Sequence, residues 1–246
     1  MLTMMEKIIY FLLVMFLVLA CTENDSETEE IIDIDATSGT FIDTRDKKEY
    51  KWVKIGEQIW MAENLAYLPF VSSTENDNLD KPNFYVYGYN GTNADSAKAT
   101  INYSEYGVLY NWQAAIISCP VGWHLPTDEE WKELEIELGM SVDQANEHVS
   151  PFYRGTDQGM KMKTSRGWHN NGNGNNVSRF SGLPSGFRFV NGSYSYIEGF
   201  GYWWSSSDAL SSSAWGRGLS YNNCCVFRNS FNKRNGLCIR CVKNKD

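Results

Sequence analysis

Histidine is scarce in this chain of 246 residues: His124, His148 and His169 are the full set. No HExxH occurs and no two histidines sit at ligand spacing, which excludes a zinc site of that type. His124, inside WHLPT, reads as a packing residue. There is no G-x-S-x-G, no P-loop and no dinucleotide fingerprint, so those routes to acyl transfer and nucleotide binding are absent. Ser205-Ser206-Ser207, behind Trp203-Trp204, read as strand-end and turn residues rather than a nucleophile. A basic excess is also missing. The formal net charge is −8, but seven of the acids crowd into residues 22–35 without a single base. Setting aside that stretch, Glu6 and Lys7 leaves 22 acids against 21 bases. A near-neutral remainder calls for no nucleic acid and no strongly basic partner. Internal repeats are lacking, and so is a second apolar run of spanning length.

One apolar run is present. Ile8 to Ala20 is 13 residues without a polar break, the length of a signal-peptide core and short of the ~20 residues that span a bilayer. Lys7 supplies its positive flank, and Met4 or Met5 are alternative starts. The run ends in Val18-Leu19-Ala20-Cys21, which resembles a bacterial lipobox. That resemblance implies cleavage before Cys21, lipidation of Cys21 and outer-membrane attachment. The acidic stretch that follows cannot bury enough apolar surface to fold, so 21–39 is expected to be a tether. An acidic run after a lipidated cysteine is similar to the surface-export signal of Bacteroidetes lipoproteins, which implies display on the cell surface.

Residues 40–246 suffice for one domain with an ample core. Nine Trp and 14 Tyr suit an extracellular loop-rich fold and also carbohydrate binding, because sugar C–H faces stack on rings. Most individual Trp residues are expected to be core. Thr40–Ile42, 50–55 and 58–61 read as strands. The polar stretch 70–105 reads as a long loop. Helices are expected near 107–118 and 128–138. Past residue 150 helix signals vanish, and short aromatic segments broken by Gly, Ser and Asn suggest a sheet with long excursions. Helices followed by strands predict an α+β fold.

The second helix has the clearest start. In CPVGWHLPTDEEW (119–131), Pro120-Val121-Gly122 stops the chain and Thr127 to Glu130 forms a capping box. Trp131, Leu134 and Leu138 then share a face. The strongest recognition candidate is GWHNNGNGNN (167–176). Trp168 would offer a stacking face, and Asn170, Asn171, Asn173 and Asn175 would exchange hydrogen bonds with sugar hydroxyls. The competing reading is a chain of Asn-Gly turns that satisfies its own backbone.

Several blocks in order carry a family resemblance: KIGEQIWMAENLAY (54–67), YGVLYNWQAA (106–115), CPVGWHLPTDEEW, GLPSGFR (182–188), GYWWSSS (201–207) and RNSFNKRNGLCIRCVK (228–243). Over roughly residues 40–243 the chain resembles the Fibrobacter succinogenes major paralogous domain, a family of bacterial surface proteins, with an entry similar to C-type-lectin-like domains. The resemblance implies a lectin-like core with a twisted, mainly antiparallel sheet, and a disulfide from Cys119 to Cys241 in the last strand. A different register, with Asn229 opposite Gly236, would instead set Cys224 against Cys241. The lectin calcium motifs EPN, QPD and WND are missing, so calcium has no motif behind it and no cofactor is expected. The fold also resembles formylglycine-generating enzymes, which implies copper held by cysteines and invites Cys224 or Cys225 as ligands. Adjacent strand residues point to opposite faces, which argues against a shared metal. The expected function is a non-catalytic surface lipoprotein that binds glycan or protein. A formylglycine-type oxidase and a structural or adhesive subunit of a surface assembly are the alternatives.

Overall fold

A computed structural model describes residues 36–73, 81–147 and 153–245. The leader 1–20, Cys21, the acidic stretch to residue 35 and His148 lie outside the described residues.

Strand β1 (Ser38–Ile42) pairs antiparallel with β2 (Glu49–Ile55), with Phe41 opposite Tyr50. The fold therefore begins inside the stretch read as tether. On β2, Tyr50 and Trp52 are buried while Lys51 is exposed, and Val53 and Ile55 are buried as well. Both faces are covered, as the apolar groups on both sides of this segment require. Gly56, at φ 58°, turns the chain into β3 (Gln58–Met61).

Strand β4 (Phe84–Tyr85) pairs with β5 (Leu109–Tyr110). Around them the 70–105 stretch is not one loop. It contains α1 (Ala94–Lys98) and α2 (Ile101–Tyr106), each opened by a side-chain cap from Asn93 and Thr100. Caps satisfy backbone N–H groups that polar composition alone leaves unassigned. The helix expected over 107–118 is shorter, α3 (Trp112–Ile117). Asn111 resets the chain there, accepting from Ala114 N at 3.0 Å.

Strand β6 (Trp123–His124) precedes α4 (Asp128–Glu137). The capping box forms: Glu130 N donates to Thr127 Oγ1 at 3.1 Å, and Thr127 N donates to Glu130 Oε2 at 2.8 Å. Trp131 and Leu134 are fully buried. Helix α5 (Val142–Asn146) has a second capping box, Ser141 with Gln144. Past residue 150 helix persists in α6 (Gln158–Met162) and a 3-10 turn at His169–Asn171. These pieces are too short to display a periodic apolar face.

A six-stranded sheet runs β7 (Tyr153–Arg154), β12 (Val226–Asn232), β11 (Ser213–Ser220), β10 (Phe200–Leu210), β8 (Ser185–Arg188), β9 (Tyr194–Ile197). Its β8–β10 contact is parallel and the other pairings are antiparallel. With six helices and three mostly antiparallel sheets among the described residues, the class is α+β.

The last segment differs from the expected hairpin. Asn229 pairs with Gly216 on β11, and Gly236 bridges Arg188 on β8. Leu237 then bridges Tyr110, Cys238 bridges Trp203, and β13 (Val242–Lys243) enters between β3 and β6. The first sheet is thus β1-β2-β3-β13-β6. This route sets Cys241 against Cys119, and the two form a disulfide across a separation of 122 residues. Cys224 is free, so the alternative pairing is overturned.

Candidate functional site

The segment 167–176 is built inward. Trp168 is 4% exposed, and its Nε1 donates to Thr164 Oγ1 at 3.0 Å. The stacking face expected of it is buried. Lys163, also buried, sits with its ammonium 5.3 Å from that ring and donates to the carbonyls of Gly172, Ser220 and Asn223. Burial lowers the Lys163 pKa, with the Cys224 sulfur partly offsetting it. The glycines are required by packing: a Cβ on Gly172 would fall 2.0 Å from Tyr221 O, and one on Gly174 would fall 2.4 Å from Lys163 O. Asn173 Oδ1 accepts from Trp168 N, and Asn175 Oδ1 accepts from Val177 N. Asn170 and Asn171 stand exposed in the left-handed region, at φ 49° and 59°. Of the five residues expected to bind, these two present free side chains at the surface.

The loop abuts an aromatic surface. His169 N donates to Glu198 O at 2.8 Å, and its ring meets Tyr221 at 5.4 Å. Tyr221 meets Phe200, and Phe200 meets both Tyr196 at 5.2 Å and Tyr202 at 5.8 Å. The Phe200 and Tyr202 planes lie 3° apart, and Tyr196 stacks on Phe187 at 12°. The row continues across the sheet from Tyr202 to Phe227, Phe231 and Tyr153. Strand β11 makes this possible by carrying Gly216 and Gly218 beneath the rings. A Cβ on Gly218 would approach the Tyr202 ring to 2.8 Å and the Phe227 ring to 3.2 Å. One on Gly216 would approach Phe231 to 2.9 Å. With no Cβ in the way, rings from β10 and β12 fold over the strand between them. Tyr196 is 50% exposed, and Phe189, Phe200, Phe227, Phe231 and Tyr153 are partly exposed. Tyr196 has φ 68°, an uncommon conformation for a bulky residue and one that concentrates at functional sites.

The opposite face of this sheet carries buried charge. Glu135, wholly buried on α4, accepts from Arg154 Nη2 at 2.8 Å with both oxygens and from Arg217 Nε at 2.6 Å. Asp128 accepts from Arg217 Nη1 at 2.7 Å and from Arg228 Nη2 at 2.6 Å. Burial alone would raise the Asp128 carboxyl pKa, but Arg228 and Arg217 outweigh it and hold the group well below the usual carboxylate range. This network binds helix to sheet and leaves its carboxylates engaged, so it is scaffold. His124 is held by Glu130 at 2.8 Å and Asn244 at 2.7 Å, near the sheet end. The Glu130 hydrogen bond raises its pKa against burial.

Cys224 is exposed, Cys225 partly exposed and Cys238 buried. Cys225 Sγ donates to Gly155 O at 3.2 Å, and burial raises its pKa. Burial likewise pushes the Cys238 thiol up to about 12, opposed by its hydrogen bond to Ser185 and the charge of Arg240. Among the described residues no group of three His, Cys, Asp or Glu side chains is placed to hold a metal ion.

On the other side of the 164–183 segment lies an open cleft of about 580 Å³. Its walls are β1 with Lys51, Trp52 and Val53 of β2, then Ala62 and Glu63, and residues from 164–166 and 176–183. Sequence reasoning centred on 167–176 and missed it, although both flanks of that loop line it.

The family model of the Fibrobacter succinogenes major domain matches residues 53–243, and the chain belongs to that family. No curated protein and no solved structure matches the chain.

Proposed function

We propose that this chain is a non-catalytic, lipid-anchored carbohydrate-binding domain displayed on the cell surface, holding glycan against the aromatic face of the six-stranded sheet. One observation carries the reading. A row of rings runs from the exposed Tyr196 through the partly exposed Phe200 and the buried Tyr202 to the partly exposed Phe227, over a glycine-floored strand and beside the exposed amides of Asn170 and Asn171. Rings take the apolar faces of sugars while neighbouring amides take their hydroxyls. The disulfide between Cys119 and Cys241 supports the lectin-like reading of the core. The apolar run before Cys21 supports the anchor.

The test is a glycan array probed with the full chain, followed by titration of the best ligand into Tyr196→Ala and Phe200→Ala. Each truncation is expected to lower affinity about ten- to a hundredfold, the worth of one buried ring. Unchanged affinity in both variants moves the site off this face. Thiol-dependent copper uptake with oxidase activity would overturn the non-catalytic reading. Cys21→Ser is expected to remove acyl mass from the membrane-extracted protein, and an unchanged intact mass would end the anchor proposal.

A further inference from the structure

The cleft beside β1 has an unusual charge balance for a domain that is otherwise near neutral. Glu63 is its one carboxylate, and it lies 4.0 Å from Lys51. Arg166 and Arg179 line the same cleft, both exposed, and neither has a carboxylate within 4 Å among the described residues. Arg179 makes a single side-chain contact, from Nη1 to Ser38 Oγ at 3.4 Å across the cleft. A third guanidinium lies directly beneath. Arg240 is fully buried, and its donors go to Asn64 Oδ1 at 3.1 Å, to Phe180 O and to Ser181 O at 2.7 Å. No carboxylate pairs with it among the described residues. Burial pulls its pKa down to about 9, and the charge of Glu63 is among the groups that oppose this.

The wall above Arg240 is held in a costly shape. Asn176, Arg179 and Ser181 all adopt positive φ, at 52°, 57° and 57°. Asn176 and Ser181 lock this turn by exchanging bonds: Asn176 Nδ2 donates to Ser181 Oγ at 2.9 Å, and Ser181 N donates to Asn176 Oδ1 at 2.8 Å. Left-handed non-glycine residues are strained and persist where surroundings enforce them, commonly at ligand sites. Here all three line the cleft, and the buried arginine anchors the carbonyls of the same turn. The rest of the lining sets the hydroxyls of Thr40, Thr164 and Ser165 beside the apolar Trp52, Val53, Ala62 and Leu183. The volume of about 580 Å³ falls in the usual range of roughly 300–1,000 Å³ for small-ligand sites.

We infer that this cleft is a second binding site, for an acidic saccharide, in which Arg166 and Arg179 receive a carboxylate or sulfate and the hydroxyl-bearing walls receive the ring. Guanidinium groups pair with planar or tetrahedral oxyanions through two N–H groups at once. A lone phosphate would leave most of the space unfilled, whereas a charged sugar offers C–H faces to the apolar lining, hydroxyls to Thr40, Thr164 and Ser165, and an oxyanion to the arginines. The inference extends the glycan reading to a surface separate from the aromatic face and does not use that face.

Isothermal titration of the full chain in detergent tests it. The probes are oligogalacturonate, its methyl ester, dextran sulfate, a neutral cello-oligosaccharide and inorganic phosphate. Binding of oligogalacturonate identifies a carboxylate ligand, and binding of dextran sulfate alone identifies a sulfate. In either case Arg166→Gln and Arg179→Gln are each expected to weaken binding about ten- to a hundredfold, the worth of a charged hydrogen-bonded contact. Added salt should weaken it further, and the methyl ester should bind no better than the neutral sugar. Arg166 lies on an exposed loop, so its variant remains informative if Arg179→Gln disturbs the strained turn. Tyr196→Ala should keep the acidic ligand while losing affinity for a ligand of the aromatic face. The inference fails if no acidic probe binds, if ester and acid bind alike, if phosphate binds as tightly as the acidic sugar, or if Arg166→Gln keeps full affinity. Loss of the acidic ligand in a folded Tyr196→Ala variant would merge the two sites and overturn the separate one.

Discussion

Replacing Glu135 by leucine tests whether the buried ion network holds α4 to the sheet. Glu135 has no exposed surface and is engaged by two guanidiniums, Arg154 at 2.8 Å and Arg217 at 2.6 Å. Without it, Arg154 keeps one strong partner, the carbonyl of Ala145 at 2.6 Å, and Arg217 keeps Asp128. The network then holds three arginines against one carboxylate. Breaking a buried pair by removing one partner costs about 3–5 kcal/mol, a large share of the roughly 5–15 kcal/mol that stabilises a domain. Removing both charges should cost far less, so Glu135→Leu combined with Arg154→Met is expected to recover most of the loss. Urea denaturation followed by tryptophan fluorescence reads the difference, since Trp131 lies on the same helix. A loss under about 1 kcal/mol in the single variant, or a double variant as unstable as the single, would refute the reasoning.

Three further outcomes are expected. Cys119→Ala with Cys241→Ala opens a loop of 122 residues and should cost about 5 kcal/mol by chain entropy, read as a fall in urea midpoint that reductant reproduces in the parent. Gly218→Ala forces the Tyr202 and Phe227 rings aside and should cost about 1–3 kcal/mol, with a parallel loss of glycan affinity at the aromatic face. The His124 pKa is raised by its Glu130 hydrogen bond, so this pair stabilises fully below the unfolded histidine pKa and loses that contribution as pH rises through the folded value. The Glu130 carboxyl is lowered, against burial, by His124 and Thr127, so its share is lost at the acid end as pH falls through its folded value. The site is partly exposed and its worth is under about 1 kcal/mol; His124→Gln should flatten that pH dependence in chemical denaturation.

Local signals in the sequence translated directly into structure. The capping box at Thr127 and the alternation over 50–55 depend on neighbours a few residues apart, and both formed as expected. The disulfide came through family likeness, because register reasoning left two pairings open and the true path of 236–243 skips from sheet to sheet. The buried roles of Asp128 and Glu135 were not legible, because their partners lie far along the chain at Arg154, Arg217 and Arg228. Charge type alone carries no information on such pairings. Trp168 illustrates the same limit at the candidate site. A tryptophan among asparagines and glycines looks exposed, but Lys163 and Gly182 enclose it, and Gly172 is small because Tyr221 is already there. The spacing of Gly216 and Gly218 in AWGRGLS was the one readable sign of the aromatic face: two glycines on one side of a strand ask what lies over them.

The path of residues 236–243 also governs when this domain can become itself. Three sheets meet along that short run, which touches β8, β5, β10, β3 and β6 in succession. Without it, the five-stranded sheet lacks the strand that joins its halves and Cys119 lacks its partner. The N-terminal strands can pair earlier, but closure waits on contacts that span nearly the whole sequence, which slows folding.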